Sequence, residues 1–323
     1  MNKNKQIIPV FYACDDNFIK FAAISMRSIL LNSDKERFYS FHILITGISE
    51  ENRKAVLDMK TDNCEIIFDD VTEYLARLTK DLPIRDYYSK TTYFRLFIAD
   101  MFPQYDKVIY IDSDTVVKKD VSELFDTDLK DNYVGAVSER VMTETDVYGT
   151  YVEECLGIDR YAYFNAGVLL INCREFRKNE LLVRFGELLA SYDFVVTQDE
   201  DYLNLLCKDR VLLLSGKWNA EIFNGLPVSE EEVAVFHYIM TSKPWHYRDC
   251  AYGGYFWKYA AGTSFYDELV EMCNSYSDEE KRRDIVCGEN LAALAIKETV
   301  REDNYLKTLR KNQDAARVEV LKK

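Results

Sequence analysis

The N-terminal segment restricts the fold more than any other part of the chain. Residues 7–13 (IIPVFYA) are a run of β-formers that stops at an acidic cluster, Asp15-Asp16-Asn17. Residues 18–31 follow with apolar side chains at helical spacing, among them Phe18, Phe21, Ala22 and Ile29. A second β-rich run, 41–46 (FHILIT), precedes Ser49, a good N-cap. Glu50 and Glu51 then suit the positive end of a helix reaching about residue 59. A third strand is expected at 65–68. Strand, helix, strand, helix, strand with short connections predicts a parallel sheet layered between helices. In such sheets ligands bind beyond the carboxyl ends of the strands.

The segment 107–117 (KVIYIDSDTVV) fits that frame. Val108 to Ile111 read as a buried strand that ends at two carboxylates, Asp112 and Asp114, separated only by Ser113. On an extended backbone both aspartates leave on the same face. Two hard oxygen ligands at a strand end suit Mg²⁺ or Mn²⁺ with a phosphorylated ligand. Read alone, D-S-D is equally an ordinary polar turn.

Further along, helical stretches are expected at 71–79 and 89–101, the second ended by Pro103. A strand is expected at 133–138, and 139–161 is an unassigned polar, aromatic loop. Residues 164–172 (FNAGVLLIN) predict a strand buried on both faces. Helices are expected at 176–191 and 198–207, and strands at 211–214 and 233–236. Beyond Gly254 the sequence turns helical and charge-rich, and 291–323 reads as one or two amphipathic helices. That tail is either a small solvated subdomain or an arm for a partner or a membrane surface.

Composition narrows the function. With 41 Lys+Arg against 55 Asp+Glu the net charge is −14, which argues against nucleic acid as the main partner. The 8 cysteines are scattered, without a C-x-x-C pair or a Cys/His cluster, so reduced thiols in a cytoplasm are expected. No apolar stretch reaches the roughly 20 residues of a membrane helix, and no signal peptide is evident at the start.

Five polar clusters stand at expected strand ends or helix starts: 15–17, 112–114, 165–167, 198–201, and His237 with 243–246. His237, directly after the strand EVAVF, is placed to complete an Asp, Asp, His metal shell, or is a structural strand-end histidine. Lys243 offers a point charge for a pyrophosphate. Asp199 and Glu200 are candidate catalytic carboxylates near an anomeric carbon, or simply the acidic first turn of a helix.

Six segments, YACDDNF, TTYFRL, KVIYIDSDTVV, YFNAGVLLIN, TQDEDYLN and HYIMTSKPWH, resemble glycosyltransferase family 8 in order and spacing over about residues 8–249. The nearest part of that family is its bacterial lipopolysaccharide galactosyl- and glucosyltransferases. The resemblance implies an α/β fold of the GT-A type. It would be a single Rossmann-like domain with a mixed, mainly parallel central sheet flanked by helices over 1–253, and a small helical region over 254–323. It implies retaining transfer of galactose or glucose from a UDP-hexose to a saccharide acceptor in surface-glycan synthesis, with Mn²⁺, or Mg²⁺ in its place. The enzyme would be cytoplasmic, with at most peripheral membrane contact through the C-terminal helices.

By matched position, Asp112, Asp114 and His237 would hold the metal, and Ala13, Asp15 and Asn17 the uracil and ribose. Arg95, Asn165, Ala166 and Asp199 would surround the donor sugar, Lys243 would hold the diphosphate, and Ser113 would lie against the nucleotide sugar. Two positions depart from the family pattern. Glu200 stands where close relatives usually carry Gln, which makes it a candidate nucleophile beside the alternative of front-face attack. Met240 stands where relatives carry Gly, which puts close approach of the backbone to the diphosphate in question. A glycogenin-like self-glucosylating primer and a catalytically weak UDP-sugar-binding protein are the alternative readings.

Overall fold

A computed structural model describes residues 5–76, 82–83 and 90–321, with side chains to residue 314. Its strands are β1 Ile7–Ala13, β2 Phe38–Ile45, β3 Cys64–Asp70, β4 Val108–Ile111, β5 Thr115–Val117, β6 Val134–Ala136, β7 Val168–Ile171, β8 Val211–Leu213, β9 Ala220–Glu221 and β10 Val235–His237. Seven of them form one sheet in the order β3-β2-β1-β4-β7-β6-β8, and three form a smaller sheet, β5-β10-β9.

The period-two pattern read from the sequence accounts for the layers. Along β1, Ile8, Val10 and Tyr12 enter one core cluster while Phe11 and Ala13 enter the other. Along β4, Ile109 and Ile111 face the first cluster and Val108 and Tyr110 the second. Both central strands are thus buried on both faces, and truncating Ile109 or Ile111 to Ala would cost on the order of 2–5 kcal/mol.

The Ile19–Asn32 helix starts where Asp15 turns the chain, its Oδ1 accepting from the N–H of Asn17 (2.9 Å) and Phe18 (3.1 Å). Ser49 caps the Glu50–Leu57 helix as predicted. Asp16 ties these two helix starts together, accepting from the Ser49 N–H and the Asn52 amide, and those bonds hold its carboxyl below the usual range.

The sheet is mixed and mainly parallel, as the family resemblance implies, with β7 antiparallel to both β4 and β6. Several other expectations are corrected. The 164–172 strand shrinks to β7, and residues 165–167 form a turn before it. The 89–101 helix is a 3₁₀ segment, Lys90–Phe97, continued by one α-turn, Ile98–Met101, with residue 89 outside the described residues. In the 71–79 stretch only Thr72–Leu75 is helical, and 77–79 lie outside the described residues. The 176–191 helix breaks in two at Glu180, whose φ of 52° lies in the left-handed region. The unassigned stretch 139–161 contains helices at Arg140–Glu144 and Asp146–Tyr151 and a π-turn at Val152–Leu156.

The tail begins earlier than expected, with a helix over Asp278–Val300 that Ser277 and Glu280 open with a capping box. It lies against the Asp146–Tyr151 helix and buries Ala295 and Glu298. Among the described residues no helix is long and apolar enough to cross a membrane.

Candidate active site

Three elements meet at the carboxyl end of β4. The backbone leaves the strand in a turn at Asp112-Ser113-Asp114 before re-entering as β5, so the aspartates converge through a turn and not along an extended strand. The Asp112 N–H donates to Gly167 O (2.7 Å), which ties the turn to the entry of β7, and the Tyr238 N–H donates to Asp114 O (3.0 Å), which ties it to β10. β10 in turn pairs His237 opposite Thr115. One ligand atom each from Asp112, Asp114 and His237 lie within 4.8 Å of one another.

Gly167 makes that approach possible. A Cβ there would stand 2.3 Å from His237 Cε1 and 2.9 Å from Asp112 Oδ2, so no side chain fits without moving a ligand.

The neighbours decide which oxygens remain free. Asp112 Oδ1 accepts from Tyr110 Oη (2.7 Å) and Arg95 Nη2 (3.1 Å), which leaves Oδ2 toward the cluster. Asp114 faces His237 Nε2 at 3.2 Å and Lys243 Nζ at 2.6 Å. Burial alone would raise its carboxyl, but Lys243 and His237 outweigh that and hold it far below the usual range.

Arg95 is buried and fully engaged. Its Nε donates to Thr92 O (2.8 Å), its Nη1 to Ala166 O, and its plane lies 4.4 Å over the Tyr110 ring. Asp199 Oδ2 sits 3.1 Å from Arg95 Nε, an ion-pair distance without hydrogen-bond geometry, because that N–H points at Thr92. Burial would lower the guanidinium, but the charge of Asp112, with that of Asp199, keeps it raised. Asp199 is raised by burial, against the pull of Arg95.

Glu200 is partly open to the cleft and accepts the Ala166 N–H at 2.9 Å. Burial, and next the charge of Glu139, push its carboxyl well above the ordinary value. Asp201, the third acid of the run, turns into the core and accepts from Tyr151 Oη (2.7 Å) and Tyr163 Oη (2.9 Å). It is structural. Gln198, with φ of 57°, is buried with both amide atoms unpartnered among the described residues, as is Ser113 Oγ.

Two clefts open here. The first is lined by the three ligands, Arg95, Glu139, Asn165, Ala166, Asp199 and Glu200, with Val141, Met142, Ile239 and Leu291 as an apolar wall. The second is lined by Asn17, Phe18, Phe21, Trp245, His246 and Tyr276. Met240 and Lys243 border both. Of the nucleotide positions implied by resemblance, Asn17 lines the second cleft. Asp15 is occupied in its turn, and Ala13 ends β1 beside β4. Met240 has φ of 55°, so it keeps the left-handed backbone a glycine would favour and adds a side chain to the wall between the clefts.

The family model for glycosyltransferase family 8 matches residues 9–249, three quarters of the chain. The chain belongs to glycosyltransferase family 8. The protein is therefore a glycosyl-transferring enzyme, a hexosyltransferase, working between a sugar donor and a saccharide acceptor. It is 29% identical over 262 residues to the lipopolysaccharide 1,2-glucosyltransferase of Escherichia coli, covering 75% of this chain and 74% of the relative. It is 28% identical over 251 residues to the lipopolysaccharide 1,3-galactosyltransferase of Salmonella typhimurium, covering 73% and 72%. The crystal structure of the galactosyltransferase LgtC with donor and acceptor sugar analogues matches with a TM-score of 0.62 and 28% identity, covering 86% of this chain and all of LgtC.

Among the residues of this family 8 site that the sequence does not single out are Glu139, Asn219, Glu221 and Leu291. Glu139 followed a predicted strand directly, which was a usable signal. Glu221 is fully buried, its Oε2 accepts the Arg140 N–H at 3.0 Å, and its Oε1 has no partner that meets hydrogen-bond geometry among the described residues. Burial, and then the adjacent Glu139, raise its carboxyl well above the ordinary value. Leu291 comes from the tail, whose position in space no local pattern announces.

Proposed function

We propose that this enzyme transfers galactose or glucose from a UDP-sugar to a saccharide of a surface glycan, with retention and with Mn²⁺, or Mg²⁺ in its place, as cofactor. The observation that carries the reading is the convergence of Asp112, Asp114 and His237 within 4.8 Å beside Lys243. Two carboxylates and one imidazole suit a borderline divalent ion. The relatives' names supply the hexoses and the glycan class.

Asp112 Oδ2, one oxygen of Asp114, and His237 Nε2 would hold the ion. When bound, it supplies a Lewis acid for the diphosphate oxygens of the leaving nucleotide. Lys243 then adds a positive charge where the leaving group becomes more negative. Ala13, Asp15 and Asn17 are assigned to uracil and ribose, with Asn17 facing the aromatic cleft. Arg95 positions Asp112 and Asp199 and fixes the 165–167 turn through Ala166 O.

Glu200 is the group proposed to face the anomeric carbon, with Asp199 behind it. Its raised carboxyl works against a nucleophile, while the Ala166 N–H favours the anion, as a nearby divalent cation would. Covalent attack by Glu200 and front-face attack assisted by the leaving phosphate both remain compatible with this placement. Among the described residues the 8 cysteines form no disulfide, which supports a reducing, cytoplasmic setting.

The deciding experiment is UDP release from a panel of UDP-sugars with Mn²⁺ and then with EDTA. Manganese-dependent release from one hexose establishes the class and the donor together. UDP binding without release from any donor would replace this reading with that of a sugar-nucleotide-binding protein. Mass gained by the protein itself, with UDP-glucose and no acceptor, would identify self-glucosylation.

A further inference from the structure

His237 can serve as a ligand through Nε2 only if that atom has a lone pair, and the choice between its two nitrogens is made by residues outside the ligand set. We propose that Asn219 is the positioning residue that keeps the His237 proton on Nδ1 and so presents Nε2 to the cation. This rests on the metal reading above.

The argument starts from a group that cannot be turned round. The Gly167 backbone N–H lies 2.8 Å from one side-chain atom of Asn165, which must therefore be the carbonyl oxygen, Oδ1. The other side of that amide, Nδ2, then donates to Glu139 Oε2. Glu139 is anchored at its second oxygen by the Val141 N–H at 2.9 Å. Asn219, fully buried, approaches the same Asn165 Oδ1 at 2.7 Å. Two carbonyl oxygens cannot bond, so the approaching atom is Nδ2. Its own Oδ1 must face His237 Nδ1, 2.9 Å away, and a carbonyl oxygen there can only accept. Nδ1 therefore carries the proton.

Reversing the choice is costly. With the proton on Nε2 alone, Asn219 would have to flip its oxygen onto Asn165 Oδ1. Flipping Asn165 as well would orphan the Gly167 N–H and set a carbonyl against the Glu139 carboxylate. Buried polar groups left without a partner are costly, and the flip creates at least two. Asn219 touches neither substrate nor cation in this scheme; it acts through the imidazole, in the way outer partners of metal-bound histidines set tautomer and ring orientation.

The test begins on the metal-free full chain with ¹⁵N-labelled histidine, the three signals being assigned by a His237→Gln variant. A one-bond proton coupling at His237 Nδ1 is expected, and an unprotonated Nδ1 would overturn the proposal. Calorimetry with Mn²⁺ alone follows. Asn219→Leu should bind about 10- to 100-fold more weakly, whereas Asn219→Asp, which keeps an acceptor on Nδ1 but sets its second oxygen against Asn165 Oδ1, should lose clearly less than the Leu variant. Equal loss in both variants would mean that Asn219 matters only for packing, and unchanged binding in the Leu variant would also refute the proposal. Should Asn219→Leu fail to fold, the parent spectrum and the Asp variant still decide. Absence of Mn²⁺ binding to the parent would refute the metal reading and the ligand role of Nε2, while the spectrum judges the tautomer separately.

Discussion

Replacing Lys243 with Met should move two affinities in opposite directions. Lys243 Nζ is 2.6 Å from Asp114 Oδ2, also donates to Tyr238 O, and is 8% exposed. A divalent cation on the other side of that carboxylate would stand roughly 5 Å from the ammonium. At an effective dielectric of 20 the repulsion of charges +1 and +2 is about 6–7 kcal/mol, an upper bound because the lysine can swing away. A realized gain of about 1–2 kcal/mol would tighten Mn²⁺ binding to the nucleotide-free protein about 5- to 30-fold. At saturating Mn²⁺, however, UDP would lose charge-assisted hydrogen bonds worth about 1.5–3 kcal/mol, a drop of roughly 10- to 100-fold. Isothermal calorimetry of both steps, with a thermal melt to confirm folding, measures the pair. If both affinities fall together, Lys243 is a structural counter-ion of Asp114; if UDP binding is unchanged, it never reaches the diphosphate.

Asp114→Asn should abolish metal-dependent UDP binding, and calorimetry giving an unchanged affinity would remove the metal assignment. Glu200→Gln should retain part of the hexosyl transfer if attack is front-face, whereas complete loss with the fold intact, measured by UDP release, would indicate a covalent role. Glu221→Gln addresses pH dependence. Because the folded carboxyl is raised, the native state keeps a proton that the unfolded chain has lost above about pH 4.3, so stability falls as pH rises through that window. The amide keeps the Arg140 contact and can donate to Glu139 without titrating. Melts should therefore show the variant about 1–2 kcal/mol more stable than the parent at pH 8, and the two nearly equal at pH 4. A parallel pH dependence of both proteins would place the proton elsewhere.

The parts of the fold that were legible are those whose cause is local. Alternation along β1 and β4, the Ser49 cap and the Asp15 turn all act within a few residues, and the structure follows them. The direction of β7 was not legible, since VLLI buried on both faces reads the same either way along the sheet. Residues 139–161 fold for reasons that lie far away. Tyr151 is held by Asp201, the Arg140 N–H is held by Glu221 at 3.0 Å, and the Asp278–Val300 helix covers the segment from outside. Local propensity has no access to such partners.

The candidate site divides along the same line. Asp112, Asp114 and His237 were legible because each sits at the end of a predicted strand, and strand ends in one sheet are brought to one side by topology alone. Of the acids around them, Glu200 stands out in the sequence within the run 198–201, but Glu139 and Glu221 do not, because a lone Glu in either neighbourhood reads as solvated. The three come from separate segments. In the fold they crowd against one another, and burial together with mutual repulsion raises Glu200 and Glu221. Met240 shows the converse limit. At this position, where the resemblance implies a glycine, φ is 55°, a backbone conformation a glycine would favour, and the side chain borders both clefts. A left-handed non-glycine residue costs of order 1–3 kcal/mol, and here that cost falls at the wall shared by both clefts. On either side of Met240 the chain is fixed to Asp114, by the Tyr238 N–H at its backbone oxygen and by Lys243 at its carboxylate.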